Sequence, residues 1–203
     1  MQNQVHPSAH VLTVAATGAS GALFTRALLL LLERDQRVQT VNFIASDNAL
    51  RVFAEELEIK GRNNLVQQLI GAKSKKITAQ NNNDIGGNVA SGSYPTDAMI
   101  VIPCSMGTLA RIAHGLASNL IDRAADVCLK EKRPLVLCTR ETPLNRVHIR
   151  NMEWAAESGA TIYPLIPTFY NQPKSFDEMA HQFACRVLQF VGLEQKDAYR
   201  WKG

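Results

Sequence analysis

Five short apolar runs, each followed by a stretch of helical periodicity, restrict the fold of this chain more than any other feature. The first, Val11–Ala16 ("VLTVAA"), leads through "TGASGA" into an apolar helix over 22–34. A second strand over 38–45 precedes a helix over 47–58, with Leu50, Phe53, Ala54 and Leu57 on one face. A third, over 98–102, enters "PCSMGT", and helices over about 105–115 and 119–131 follow. The fourth, over 134–139, precedes a helix over 144–158; the fifth, over 160–165, precedes a last helix over 175–192. Such alternation predicts an α/β fold with a parallel sheet covered by helices on both faces. Residues 61–97, with "QNNNDIGGN" and "ASGSYPTD", read as exposed loops. The 203 residues fit one domain, 1–203, with a flexible segment 1–10 and a C-terminal tail 193–203. The end of that tail, "EQKDAYRWKG", is too polar for a core, so Trp201 is expected to pack on another subunit or to cover a site.

Composition excludes several function classes. The net charge of +4 suits an anionic ligand, although solubility alone accounts for it. The densest basic run, "KSKK" at 73–76, reads as a solvated loop, so no nucleic-acid partner is expected. The longest purely apolar run, 27–32, is far too short to span a bilayer, and the first ten residues have no secretory pattern. A cytoplasmic protein without a membrane partner is the expectation. The four cysteines, Cys104, Cys128, Cys138 and Cys185, form no CxxC and show no Cys/His spacing typical of zinc, so they read as reduced, mostly buried thiols. His114, His148 and His181 read as packed or solvated rather than metal-bound, and no metal site is expected. Cys104 has no readable base beside it, which argues against a nucleophile.

In an open parallel sheet, ligands bind beyond the carboxyl ends of the strands. The residues just after the predicted strands are Thr17-Gly18-Ala19-Ser20-Gly21, then Ser46, then Cys104-Ser105-Met106-Gly107-Thr108, then Arg140-Glu141, and finally 164–170. "TGASG" can present backbone N–H groups at a helix start as a phosphate cradle, or simply turn the chain. It is not G-x-G-x-x-G, which argues against the usual dinucleotide fingerprint. Ser105 and Thr108 offer two hydroxyls at another helix start, as ligands or as ordinary caps. The Arg140–Glu141 pair is either a structural ion pair or part of a phosphate grip, with Lys130, Arg123 and Arg186 as further cations.

The segments "TGASGA" (17–22), "ASGSY" (90–94), "IPCSMGTLARIAHG" (102–115), "NLIDRAADVCLKEKRPLVLCTRETPL" (119–144), "HIRNM" (148–152), "GATIYPLIPTFYNQP" (159–173) and "RWKG" (200–203) resemble the UbiX-type flavin prenyltransferases. That family lies within the wider FMN-binding flavoproteins that include cysteine decarboxylases. The resemblance spans the chain except for the first ten residues and about 60–88. It implies a Rossmann-like, flavodoxin-like three-layer fold, a homo-dodecamer, and transfer of a dimethylallyl group from dimethylallyl phosphate to N5 and C6 of reduced FMN without a metal. The prenylated FMN would serve a UbiD-type decarboxylase, as in ubiquinone biosynthesis.

Position by position, Gly18, Ala19, Ser20, Ser46, Ser105, Met106, Gly107, Thr108 and Arg140 match the family's FMN contacts, and Arg123 matches an arginine contributed across a subunit interface. Lys130, Tyr170 and Arg186, with Arg140 nearby, match the groups that hold dimethylallyl phosphate. Glu141 matches an acid beside that phosphate. Glu56 matches another active-site acid, though "AEELE" leaves Glu55 and Glu58 open. Two departures are the "AQNNNDIGGN" loop and Asn171, where many relatives have histidine. Two rival functions are an FMN-dependent peptidyl-cysteine decarboxylase and a non-catalytic FMN-binding regulator. The first would carry P-x-M-N-x-x-M, which is absent from the sequence, and the second has no need of Lys130, Tyr170 and Arg186.

Overall fold

Strand β1 (Val11–Ala16) opens the chain in the computed structural model, which describes residues 11–200. The segment 1–10 and Trp201, with the rest of "RWKG" after Arg200, lie outside the described residues. From β1 the chain passes through α1 (Ala22–Arg34), β2 (Thr40–Ala45), α2 (Asp47–Leu57), α3 (Leu65–Ile70), β3 (Ile77–Asn81), a 3-10 turn at Asn88–Ala90, β4 (Ala98–Cys104), α4 (Met106–Ala113), α5 (Leu120–Lys130), β5 (Leu135–Thr139), α6 (Arg146–Glu157), β6 (Thr161–Ile162) and α7 (Phe176–Phe190).

The strands form one six-stranded sheet in the order β3-β2-β1-β4-β5-β6, with every pairing parallel. The period of two along each strand explains the layers. Leu12, Val14 and Ala16 of β1, Val41 and Phe43 of β2, and Ile100 and Ile102 of β4 face one core, which α1, α2, α3 and α7 close with Leu28, Phe53, Leu69 and Phe183. Ala15, Ile44, Met99, Val101 and Leu137 face the other core, which α4, α5 and α6 close with Leu109, Ile121 and Ala155. The expected three-layer α/β architecture is therefore the one observed.

Three local expectations need correction. The segment 61–97 is not all loop. It contains α3 and the edge strand β3, whose polar "ITAQN" pairs with β2 along its whole length. An edge strand buries only part of its surface, and here Thr78, Ala79 and Asn81 are exposed, so no apolar alternation marks it. The second strand starts at Thr40 rather than at 38. Of 160–165, only Thr161 and Ile162 pair as strand, against Val136 and Leu137.

With β3 included, the order reverses between β1 and β4. Chain connections diverge at that point and leave a crevice beyond the carboxyl ends of the strands. The site is built there.

Candidate active site

Thr17 ties the first two turns of the crevice together. Its hydroxyl donates to the Pro103 carbonyl at 3.0 Å and accepts from the Ser105 N–H at 2.7 Å, and its own N–H reaches the Pro103 carbonyl at 3.1 Å. The "TGASG" turn is thereby locked to the start of α4. Gly18 is required by close approach, since a Cβ there would overlap the Cβ of Asn48 at the start of α2. Ser46 caps α2 by accepting from the Ala49 N–H at 3.1 Å, and its N–H donates to the Ala16 carbonyl. The first two strand ends and the third are thus joined into one surface.

Of the acids in "AEELE", Glu56 is the one that reaches the "TGASGA" turn. Its carboxylate accepts from the N–H groups of Gly21, at 3.0 and 3.2 Å, and of Ala22, at 2.7 Å. Helix α1 has no side-chain cap of its own at Gly21, so a carboxylate from α2 neutralises its positive end. Those two amides are therefore occupied, as is that of Ala19, which donates to the Thr17 carbonyl at 2.8 Å, so an incoming phosphate is left with Ser20 and the start of α4. Glu58 is instead the left-handed C-cap of α2.

At α4 the donors are open. Ser105 caps the helix, accepting from the Thr108 N–H at 3.4 Å, and its hydroxyl meets that of Thr108 at 3.2 Å. The space over Gly107 is empty except for the Arg111 guanidinium at 3.8 Å. Sequence reasoning missed Arg111. Its Nη2 donates to the Thr108 hydroxyl at 3.1 Å, while its Nε donates to the buried Asp122 at 2.7 Å. A T-x-x-R spacing on one helix face is the signal that could have found it. The start of α4, the exposed Ser20 hydroxyl, the Ser105–Thr108 hydroxyl pair and a nearby cation form a donor set that fits the phosphate of a flavin mononucleotide. Cys104, beneath this turn, is fully buried, and burial pushes its thiol up to about 12, which removes it as a nucleophile.

Arg140 and Glu141 follow β5 on the same edge. The Arg140 N–H donates to the Cys104 carbonyl at 3.1 Å, which fixes the backbone beside α4. Among the described residues its exposed side chain pairs with nothing, and Glu141 accepts only from the Thr142 N–H, at 2.9 Å. The two do not form a structural ion pair with each other.

Other expected site residues lie elsewhere in the chain. Lys130 ends α5, just before β5 begins, so it sits at the opposite edge of the sheet from Arg140. It pairs with Glu131, and both lie against Gly92 of "ASGSY". Arg123 donates to the Ala90 carbonyl at 3.2 Å and to Asp126 at 2.7 Å. Tyr170 and Arg186 do come together, with Thr168, Gln182 and Tyr199, around a separate cavity of about 290 Å³. Asn171, next to Tyr170, has both amide atoms buried without a partner among the described residues.

Residues 2–181 match a family model described as Flavoprotein. The chain is 38% identical over 193 residues to the flavin prenyltransferase UbiX of Alkalihalophilus pseudofirmus, covering 94% of this chain and 96% of that one. The chain belongs to the UbiX-type flavin prenyltransferases of the flavoprotein family. A crystal structure of AnUbiX (PadA1) in complex with FMN and dimethylallyl pyrophosphate matches with a TM-score of 0.85 at 38% identity, over 96% of this chain and 98% of that one. A dodecameric FMN-dependent Ubix-like decarboxylase from Escherichia coli O157:H7 matches with a TM-score of 0.84 at 41% identity, over 95% and 100%. Family membership, expected from the segments that resemble UbiX, thus holds over nearly the whole chain.

Proposed function

We propose that this chain is a flavin prenyltransferase that joins the dimethylallyl group of dimethylallyl phosphate to reduced FMN. The observation that carries the reading is the meeting, beyond β1, β4 and β5, of two hydroxyl-bearing turns with Arg140 and Glu141, which form no ion pair among the described residues. Ser20, Ser105 and Thr108, with the amides at Met106 and Gly107, would hold the FMN phosphate, and Gly18, Ala19 and Ser46 would shape the wall beside it. When bound, reduced FMN supplies the electron-rich ring that accepts the prenyl carbon.

The remaining chemistry falls to the chain. Breaking an allylic C–O bond places negative charge on the departing phosphate. Lys130, Arg140 and Arg186 stabilise that charge more in the transition state than in the ground state. The Tyr170 hydroxyl donates to a phosphate oxygen, and Glu141 holds or moves the proton that ring closure releases. Glu56, anchored on Gly21 and Ala22, bounds the same turn.

Within one chain the five residues of β5 separate Lys130 from Arg140, roughly 17 Å of strand. A site holding both is therefore shared between copies, with Arg123 reaching a neighbour's flavin and Tyr170 and Arg186 holding the prenyl phosphate. Exposed Val147 (63%) and Trp154 (41%), seven residues apart on one face of α6, offer an apolar surface for that assembly, for which a homo-dodecamer is our reading. The prenylated FMN would pass to a UbiD-type decarboxylase, and we place the reaction in the cytoplasm; no helix among the described residues is long and apolar enough to cross a membrane.

Anaerobic incubation with reduced FMN and dimethylallyl phosphate tests the reading. A flavin heavier by one dimethylallyl group and one phosphate released per flavin are expected; unchanged flavin would overturn it. Because cationic side chains already balance the leaving phosphate, adding magnesium to chelator-treated protein should not raise turnover. Activity that magnesium alone restores would contradict that account.

A further inference from the structure

We propose that His181, Cys185 and Asp197 form a binding site for a zinc-class divalent metal that clasps the C-terminal tail to α7. The sequence shows no CxxC and no familiar zinc spacing, but folding gathers a mixed nitrogen, sulfur and oxygen donor set there. One ligand atom from each residue lies within 4.8 Å of the others, and no other such trio of His, Cys, Asp or Glu occurs among the described residues.

The distances suit the metal. In a tetrahedral zinc site, with Zn–S near 2.3 Å and Zn–N near 2.05 Å, sulfur and nitrogen ligands stand about 3.5 Å apart. Cys185 Sγ and His181 Nε2 are 3.5 Å apart. They are four residues apart on α7, the spacing that places two ligands on one helix face. Asp197 Oδ2 lies 2.5 Å from the same imidazole nitrogen. It would have to withdraw by about 0.9 Å to the oxygen–nitrogen edge of a zinc tetrahedron, near 3.4 Å. Its side chain is 63% exposed on the tail, so it has room to do so.

The tail is already held in place. Gln182 Nε2 donates to the Asp197 carbonyl at 3.1 Å, and the Tyr199 N–H donates to Gln182 Oε1 at 2.8 Å. An approach path exists as well, because His181 lines an open cavity of about 480 Å³ between α1 and α7. Without metal, burial and the Asp197 charge push the Cys185 thiol up to about 12. Binding therefore displaces the thiol proton to solvent as the thiolate–metal bond forms. Zinc, with its preference for sulfur and nitrogen, fits this set better than magnesium or calcium, which prefer oxygen. Three protein ligands leave the fourth position to water.

The role is structural: Asp197 anchors the tail two residues before Tyr199, which lines the Tyr170–Arg186 cavity. The experiment uses the full, untagged chain, stripped with chelator and kept reduced, and titrates it with cobalt(II) and then with zinc. One equivalent of cobalt should bind with a thiolate-to-cobalt charge-transfer band, zinc should abolish the band, and zinc should raise the thermal midpoint. Cys185→Ala should lose the band and weaken metal binding by at least about 100-fold, more than losing a group that merely orients a ligand costs. Asp197→Asn, at an exposed position that leaves the core intact, should weaken it by at least about 10-fold. Absence of the band in the wild type, or its persistence in Cys185→Ala, would show that His181 and Asp197 form only an ordinary ion pair. Equal affinity in Asp197→Asn would likewise sink the clasp.

Discussion

The side chains of Arg140 and Ser20 meet no partner among the described residues, which leaves both for a ligand in the proposed site. Arg140 is fixed by its backbone and keeps its guanidinium for a ligand, and Ser20 stands exposed at a turn whose next two amides Glu56 already occupies. A second carboxylate at position 20 would place fixed negative charge where we propose that the flavin phosphate sits. Ser20→Glu should therefore purify without flavin and fail to retain added FMN on gel filtration; yellow colour equal to the wild type would remove "TGASG" from the site. Glu141 poses a different question, since among the described residues its only partner is the neighbouring Thr142 N–H. Glu141→Gln keeps the shape but cannot exchange a proton. Both ligands should still bind in calorimetry while turnover falls by about 10²–10⁴-fold, the usual size of a general acid–base contribution. Turnover at the wild-type rate would leave Glu141 a mere spacer beside Arg140.

Helix α1 shows how one element is pinned at both ends, at its start by a distant acid and at its end by its own C-cap held by the tail. Glu56 closes its start, and Asp35 closes its end, where the Asp35 N–H caps the helix on the Leu31 carbonyl. The Asp35 carboxylate accepts from Arg37 at 2.6 Å and from Gln195 of the tail at 3.0 Å. Arg37 beside it holds the Asp35 carboxyl down at about 2. Because the folded value lies below the unfolded one, about 3.9, the stabilisation is complete above about pH 4 and is lost as pH falls toward 2. Asp35→Asn should cost about 1 kcal/mol at pH 7 after allowance for solvent screening of a surface pair. Urea midpoints should differ between wild type and variant at pH 7 and converge near pH 2; a gap that stays constant with pH would show that charge is not the cause. The Glu56 and Gln195 contacts are invisible in the sequence, because each joins residues far apart along the chain. The buried strands are legible for the opposite reason: β1, β4 and β5 are apolar on both faces, so their period and flanking turns mark them directly. Polar β3 is not, since an edge strand is defined by the neighbour it pairs with rather than by its own burial. The crevice itself can be read from the residues just beyond β1, β4 and β5, and the T-x-x-R spacing marks Arg111, whereas the bonds of Thr17 to Pro103 and Ser105 emerge only when the turns are brought together.

At the scale of the whole molecule, the position of Lys130 is decisive. Its ammonium lies with Glu131 over Gly92, at the edge where β5 begins, and Arg140 stands where β5 ends. Moving either across the sheet would require unfolding a strand buried along its whole length. If both serve one prenyl phosphate, they must come from different copies, and the closed symmetry of a homo-oligomer supplies the second copy. This has a quantitative consequence. Lys130→Ala and Arg140→Ala homo-oligomers should each be nearly inactive, since each lacks one cation at every site. Dissociated, mixed in equal amounts and reassembled, they form sites at random. A site with one copy's Arg140 and another's Lys130 is intact with probability one half for each contribution, so about one quarter of wild-type activity should return. If one chain supplied both residues, every site would carry one lesion or the other, and mixing would recover nothing. Native mass spectrometry of the reassembled material would verify that subunits had exchanged, so that zero recovery in mixed oligomers would count against the shared site rather than against the mixing.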